Sequence, residues 1–168
     1  VLQNLPAVGG GDSTRRYSVS QWPLTSVVAE VNRLPRKLIV EWMMRLGTLA
    51  NLDNAQCFWG LGAVGTEIRT TANIVGFILA ADVLNAITDN GGAESVTVIG
   101  TAPTNWQKYR IEWAAGVVRF YTNESLSLVQ AANLPTIAPR FISFGQNDAG
   151  GASAVHLGPV RMWLDAKP

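Results

Sequence analysis

Apolar and polar residues alternate with a period of two along many short stretches of this chain, and no stretch holds a helical period for long. The clearest case runs over 106–128. Tyr109, Ile111 and Trp113 fall on one face of an extended arm and Lys108, Arg110 and Glu112 on the other, the pattern of a half-buried strand. Ala114-Ala115-Gly116 turns the chain, since Gly116 takes positive φ without a steric cost, and 117–121 runs back antiparallel. Thr122-Asn123-Glu124 forms a second turn around Asn123, the residue most tolerant of the left-handed region, and 126–129 follows as a third strand.

The same reading places strands along the rest of the chain. In 38–46, Leu38, Val40, Trp42, Met44 and Leu46 share a face; Ile39, Glu41, Met43 and Arg45 share the other, which is only half polar, so this strand is expected to be central. Further strands are predicted at 17–22, 27–31, 57–64 (rich in glycine), 74–79 (buried), 96–99, 141–144, 154–157 and 160–164, with a short polar piece at 67–71. Loops are predicted at 47–56, 82–92 and 145–151. Short strands at regular intervals with turn residues between them describe an all-β sandwich or barrel, and the meander's need of a second sheet to cover its apolar face points to two antiparallel sheets packed as a sandwich. Residues 1–16, with three consecutive glycines and a proline, read as an extended N-terminal arm that is flexible or held by a neighbouring subunit, and 17–168 as the single folded domain.

The hairpin sequence from Trp106 to Asn123, W-x-K-Y-R-I-E-W-x-x-G-V-V-R-F-Y-T-N, resembles that of concanavalin A-like lectin/glucanase domains, the jelly-roll sandwiches that include legume lectins and laminin-G-like modules. The likeness extends in order and spacing over most of 17–165. Glu124 stands where such hairpins usually carry glycine. The resemblance implies a jelly roll and a surface that binds or cleaves glycan; fold alone does not choose between them.

Composition narrows the choice. Charged residues make up 15% of the 168 residues, below the roughly 25% of an ordinary soluble domain. Thirteen basic and twelve acidic residues give a net charge of +1 with no basic run, which argues against a nucleic-acid partner. No apolar stretch is long enough for a membrane-spanning helix. The single cysteine, Cys57, forms no intrachain disulfide and sits beside Phe58 and Trp59 as a core residue would.

Candidate chemistry is sparse. Glycoside hydrolysis needs two carboxyls about 5 to 10 Å apart, and no strand carries Asp or Glu at i and i+2 or i+4. Glu41 and Glu112 are each near an arginine, Arg45 and Arg110, and read as surface ion pairs. His156 is the only histidine, which excludes sites built from several imidazoles. No cofactor is expected; the oxygen-rich pairs Asp53-Asn54, Asp89-Asn90 and Asn147-Asp148 are the calcium candidates, with Asp89, Asn90 and Asp148 foremost, although turn chemistry explains each alone. Of six tryptophans, Trp42 and Trp113 are in phase with core positions, while Trp59 and Trp106 are the candidates for exposure. A glycan site would then draw on Trp59, Trp106, Asn90, Asn147 and Asp148. The expectation is a noncatalytic module, not an enzyme, that binds glycan or neighbouring subunits on an extracellular or virion surface. The alternative is a virion structural subunit, decorating a capsid or associated with a tail, that assembles as a homo-oligomer; a degenerate glycoside hydrolase stands third.

Overall fold

Extended segments too short to bury an apolar face alone are stable only when laid against one another, and the chain does this twice. The computed structural model describes residues 2–4, 15–18, 36–46, 55–62, 73–80, 82–136, 140–147 and 155–166. Among them are the strands β1 (Leu2–Asn4), β2 (Arg15–Ser18), β3 (Arg36–Leu46), β4 (Ala55–Gly62), β5 (Ile74–Ala80) and β6 (Val83–Asp89). They continue as β7 (Glu94–Thr101), β8 (Gln107–Ala114), β9 (Val117–Thr122), β10 (Ser125–Gln130), β11 (Arg140–Asn147) and β12 (Val155–Ala166). The first sheet has the order β1-β12-β3-β8-β9-β10 and the second β2-β11-β4-β5-β6-β7. Every pairing is antiparallel. This is the expected all-β two-sheet sandwich, and no described residue lies in a helix.

The inward faces carry the predicted apolar sets. Leu38, Val40, Trp42 and Met44 of β3 and Tyr109, Ile111 and Trp113 of β8 are buried against Trp59, Leu61, Val75 and Phe77 of the second sheet. Trp42 stacks on Tyr109 with centroids 6.0 Å apart, and Phe77 meets Tyr109 and Phe120 edge-on at 4.9 and 5.4 Å. Such aromatic pairs add to the burial term. Burial raises the Tyr109 hydroxyl far above the ordinary phenol value, so the group stays protonated and donates to Gln107 Oε1 at 3.1 Å. β3 is central, between β12 and β8, as its two-sided pattern predicts.

The second sheet is apolar on its other face too, where Phe58, Ile74, Ile78 and Ile87 form a second buried cluster. Gly60 and Gly76 face each other across β4 and β5 on that side. A Cβ on Gly60 would sit 2.5 Å from the Gly76 Cα, so this close approach requires glycine.

Three expectations are corrected. The predicted loop over 82–92 contains β6, whose Leu84 to Thr88 are all buried; Asp82, Asn85, Thr88 and Asp89 mask its apolar content in the sequence. The predicted loop over 145–151 begins inside β11, which pairs through Asn147. The two short strands over 154–164 are one strand, β12, interrupted by a register shift between Leu157 and Val160 that accommodates Pro159 in a bulge. Within the segment read as an arm, Leu2–Asn4 pairs with β12 and Arg15–Ser18 with β11 of the same chain. The candidates at 27–31 and 67–71 lie outside the described residues.

Candidate functional site

The outward face of the first sheet is where charge and exposed aromatic rings meet. Strand alternation puts Lys37, Glu41, Met43 and Arg45 of β3, Lys108, Arg110 and Glu112 of β8, Arg119 and Tyr121 of β9, and His156, Arg161 and Trp163 of β12 on that side. Register aligns them into rows. One row crosses the sheet as Arg161, Glu41, Arg110, Tyr121 and Leu126; the next reads Trp163, Ile39, Glu112, Arg119 and Val129.

Ion pairs knit the middle of this face. Lys108 Nζ lies 2.8 Å from Glu41 and 2.6 Å from Glu124. Arg110 bonds Glu124 at 3.0 Å, and its Nε lies 3.3 Å from Glu112 without hydrogen-bond geometry. Lys37 reaches Glu112 at 3.3 Å and Asp165 at 3.7 Å. The hydrogen bond from Lys108, with the fields of Lys108 and Arg110, holds the Glu124 carboxyl below the ordinary carboxylate value, and hydrogen bonds to Glu124 and Glu41 hold Lys108 above the ordinary lysine value. Tyr121 donates to Glu112 Oε2 at 3.4 Å beneath the Arg110 guanidinium, whose carbon is 4.2 Å from the ring centroid. Arg119 and Arg161 make no ion pair among the described residues, although each faces a glutamate in register; those glutamates are taken by Lys37, Arg110 and Lys108. A cavity of about 230 Å³ opens on this face between Glu41, Met43, Lys108, Pro159 and Arg161.

Among the described residues, those singled out from sequence do not converge. Trp59 is fully buried between the sheets, which corrects the expectation of exposure and removes it from any glycan site: its neighbours Phe58 and Gly60 occupy the opposite, equally covered face. Trp106 is 40% exposed on the first sheet, with the Arg45 guanidinium 5.4 Å above its ring. Asp89 and Asn90 lie in the β6–β7 turn of the second sheet, where Asp89 Oδ1 accepts from the Gly91 N–H and Asn90 Oδ1 accepts from Gly92 and Ala93. Asn147 ends β11 opposite Ala55; its side chain, like Asp53, Asn54 and Asp148, lies outside the described residues. Among the described residues no three His, Cys, Asp or Glu side chains form a group able to hold a metal ion. His156 faces Arg45 on the outer side of β12. Glu112 pairs with Arg110 as expected, but Glu41 pairs with Lys108 on the adjacent strand and not with Arg45. Tyr121, Arg161 and Trp163 were not among the candidates from sequence, because the face they share is assembled only by register between distant strands.

No protein-family model matches the sequence, and no curated protein matches it either. Solved structures do match the fold. The alginate lyase AlyC3 in complex with dimannuronate superposes with a TM-score of 0.60 at 12% identity, over 79% of this chain and 66% of that one. A tyrosine-to-phenylalanine variant of the family 7 alginate lyase A1-II' with its product gives 0.59 at 12% over 77% of this chain and 62% of that one. A glycosidic hydrolase gives 0.56 at 13% over 74% and 64%. The chain therefore spans less than two thirds of the length of these neighbours. The fold is the concanavalin A-like jelly roll that the hairpin resemblance implies. The expectations of a noncatalytic module and of no enzymatic activity are corrected by this finding, because the solved structures that share the fold include alginate lyases, one in complex with dimannuronate and one with its product.

Proposed function

We propose that this chain is a glycan-active enzyme that cleaves a uronate-containing polysaccharide by β-elimination on the outward face of its first sheet. The observation that carries the reading is the Tyr121–Glu112 hydrogen bond set between the cations Arg110 and Arg119. Elimination from a uronate removes the proton beside the carboxylate and expels the glycosidic oxygen. It needs a cation on the carboxylate, a proton acceptor, and a donor to the leaving oxygen. Arg119, two residues from Tyr121 on the same face and without an ion-pair partner among the described residues, supplies the cation. Tyr121 takes the C5 proton as its own passes to Glu112; the C5–H electron pair forms the C4–C5 double bond as the C4–O bond breaks. The proton held on Glu112 then returns through Tyr121 to the leaving oxygen, so both residues end as they began. His156 is three strands from Tyr121, about 14 Å at ordinary strand spacing, and takes no part. The alginate lyases among the structural neighbours, one of them bound to dimannuronate, support the substrate class.

Polymannuronate incubated with the protein is expected to yield products carrying the ultraviolet absorbance of the new double bond. Tyr121→Phe is expected to lower kcat about a hundredfold or more while the variant stays folded and still binds. Absence of unsaturated product overturns the reading. A second reading rests on Glu41 and Glu112, which lie diagonally on adjacent strands, roughly 7 to 8 Å apart between backbones, within the span that two glycosidase carboxyls need. It predicts new reducing ends without the double bond, lost in Glu41→Gln and Glu112→Gln.

A further inference from the structure

On the outward face of the first sheet, two exposed tryptophans stand at either end of the cavity beside β12. Trp106 precedes β8, yet its ring reaches across β3: its six-membered edge lies 3.7 Å from where a Cβ on Gly158 would sit, over the bulge of β12, and Arg45 covers part of it. Trp163, 37% exposed, projects from β12 opposite Ile39. Gly158 lies against Met43, so along β3 the two rings are separated by about the Ile39-to-Met43 distance, roughly 13 Å for four extended residues. Between them lie the cavity and Arg161, whose charge is unmatched among the described residues because Glu41 is bonded to Lys108. Trp106 is 40% exposed immediately before β8 and Trp163 stands on β12, so each ring offers apolar surface to solvent from a fixed position on the sheet.

We propose that this strip is a second glycan track, parallel to β12 and β3 and separate from the Tyr121 centre. An oligosaccharide lies along the strands with one pyranose ring on Trp106, another on Trp163, and the carboxylate of an intervening ring on Arg161. The separation of the platforms excludes a monosaccharide as the ligand and selects an anionic oligomer. Tyr121 is three strands from Arg161, so the track holds polymer without contributing to the bond-breaking step. The ligand class rests on the reading proposed above; the track itself does not.

Isothermal titration with mannuronate oligomers, dimer to hexamer, and with uncharged mannan oligomers of the same lengths tests it on the full chain. Trp106→Ala and Trp163→Ala, checked for folding by circular dichroism, are each expected to weaken hexamer binding about tenfold and leave dimer binding little changed. Arg161→Gln is expected to remove the preference for mannuronate over mannan. With active protein, the tryptophan variants raise KM for polymer and leave kcat alone. Hexamer affinity unchanged in both tryptophan variants overturns the track, whatever the catalytic result. Tryptophan-dependent binding by a protein that cleaves nothing sustains the track and removes the elimination chemistry.

Discussion

Glu124 sits in a backbone conformation that favours glycine, at φ 68° after Asn123 at φ 49°, and it stays there because its carboxylate meets Lys108 and Arg110. Replacing it separates the two effects. Glu124→Ala loses both ion pairs and keeps the strained φ; Glu124→Gly loses the pairs and relieves the strain, so the glycine variant is expected to melt higher than the alanine variant, by a few degrees in a calorimetric scan. Because Glu124 titrates below its unfolded value when folded, its contribution is complete above that unfolded value and disappears as pH falls through the acid range beneath it. Lys108 behaves in the opposite sense: its contribution is complete below the ordinary lysine value and is lost as pH rises beyond it, and added salt weakens both contributions. The turn and its departure from glycine were legible in the sequence. The charge pairing that holds Glu124 was not, since Lys108 and Arg110 are brought to it by pairing across β8 and β9.

Among the elements, the strands whose two faces differ in polarity were read correctly; of those covered on both faces, β5 was read as the buried strand it is, β4 as a strand with a wrongly exposed ring, and β6 as a loop. β8 and β9 alternate apolar and polar and emerge with their predicted faces. β4 has Phe58 and Trp59 buried side by side on opposite faces, so alternation gave no way to choose which ring is exposed, and neither is. β6 hides Asn85 and Thr88 by bonding them to the Val83 and Ala132 carbonyls, which let polar residues enter a buried strand. The β4–β5 contact makes a sharp prediction: Gly60→Ala would drive a methyl into the Gly76 backbone and is expected to cost about 3 kcal/mol or more in urea unfolding. Trp59→Ala, by contrast, leaves a cavity in the inter-sheet core and is expected to cost about 3 to 5 kcal/mol. If Trp59→Ala instead left stability intact and changed glycan binding, the assignment of this ring to the core would be wrong.

At the scale of the whole molecule, the two sheets differ in the surface they present. In the second sheet β4 and β5 are apolar on both faces and offer little to a polar ligand, while the first sheet turns one apolar face inward and presents arginines, a tyrosine and two exposed indoles outward. The sandwich was legible from period-two patterning because every strand carries its own half of the pattern. The proposed site was not, because Arg161, Glu41, Arg110 and Tyr121 come from four strands and share a row only through register. The most direct test is a crystal structure of the Tyr121→Phe variant bound to a mannuronate oligomer. Sugar density over the outward face of the first sheet, with a uronate carboxylate on Arg119 or Arg161, is the predicted result. Density over the second sheet or at the sandwich rims, with that face empty, would contradict it.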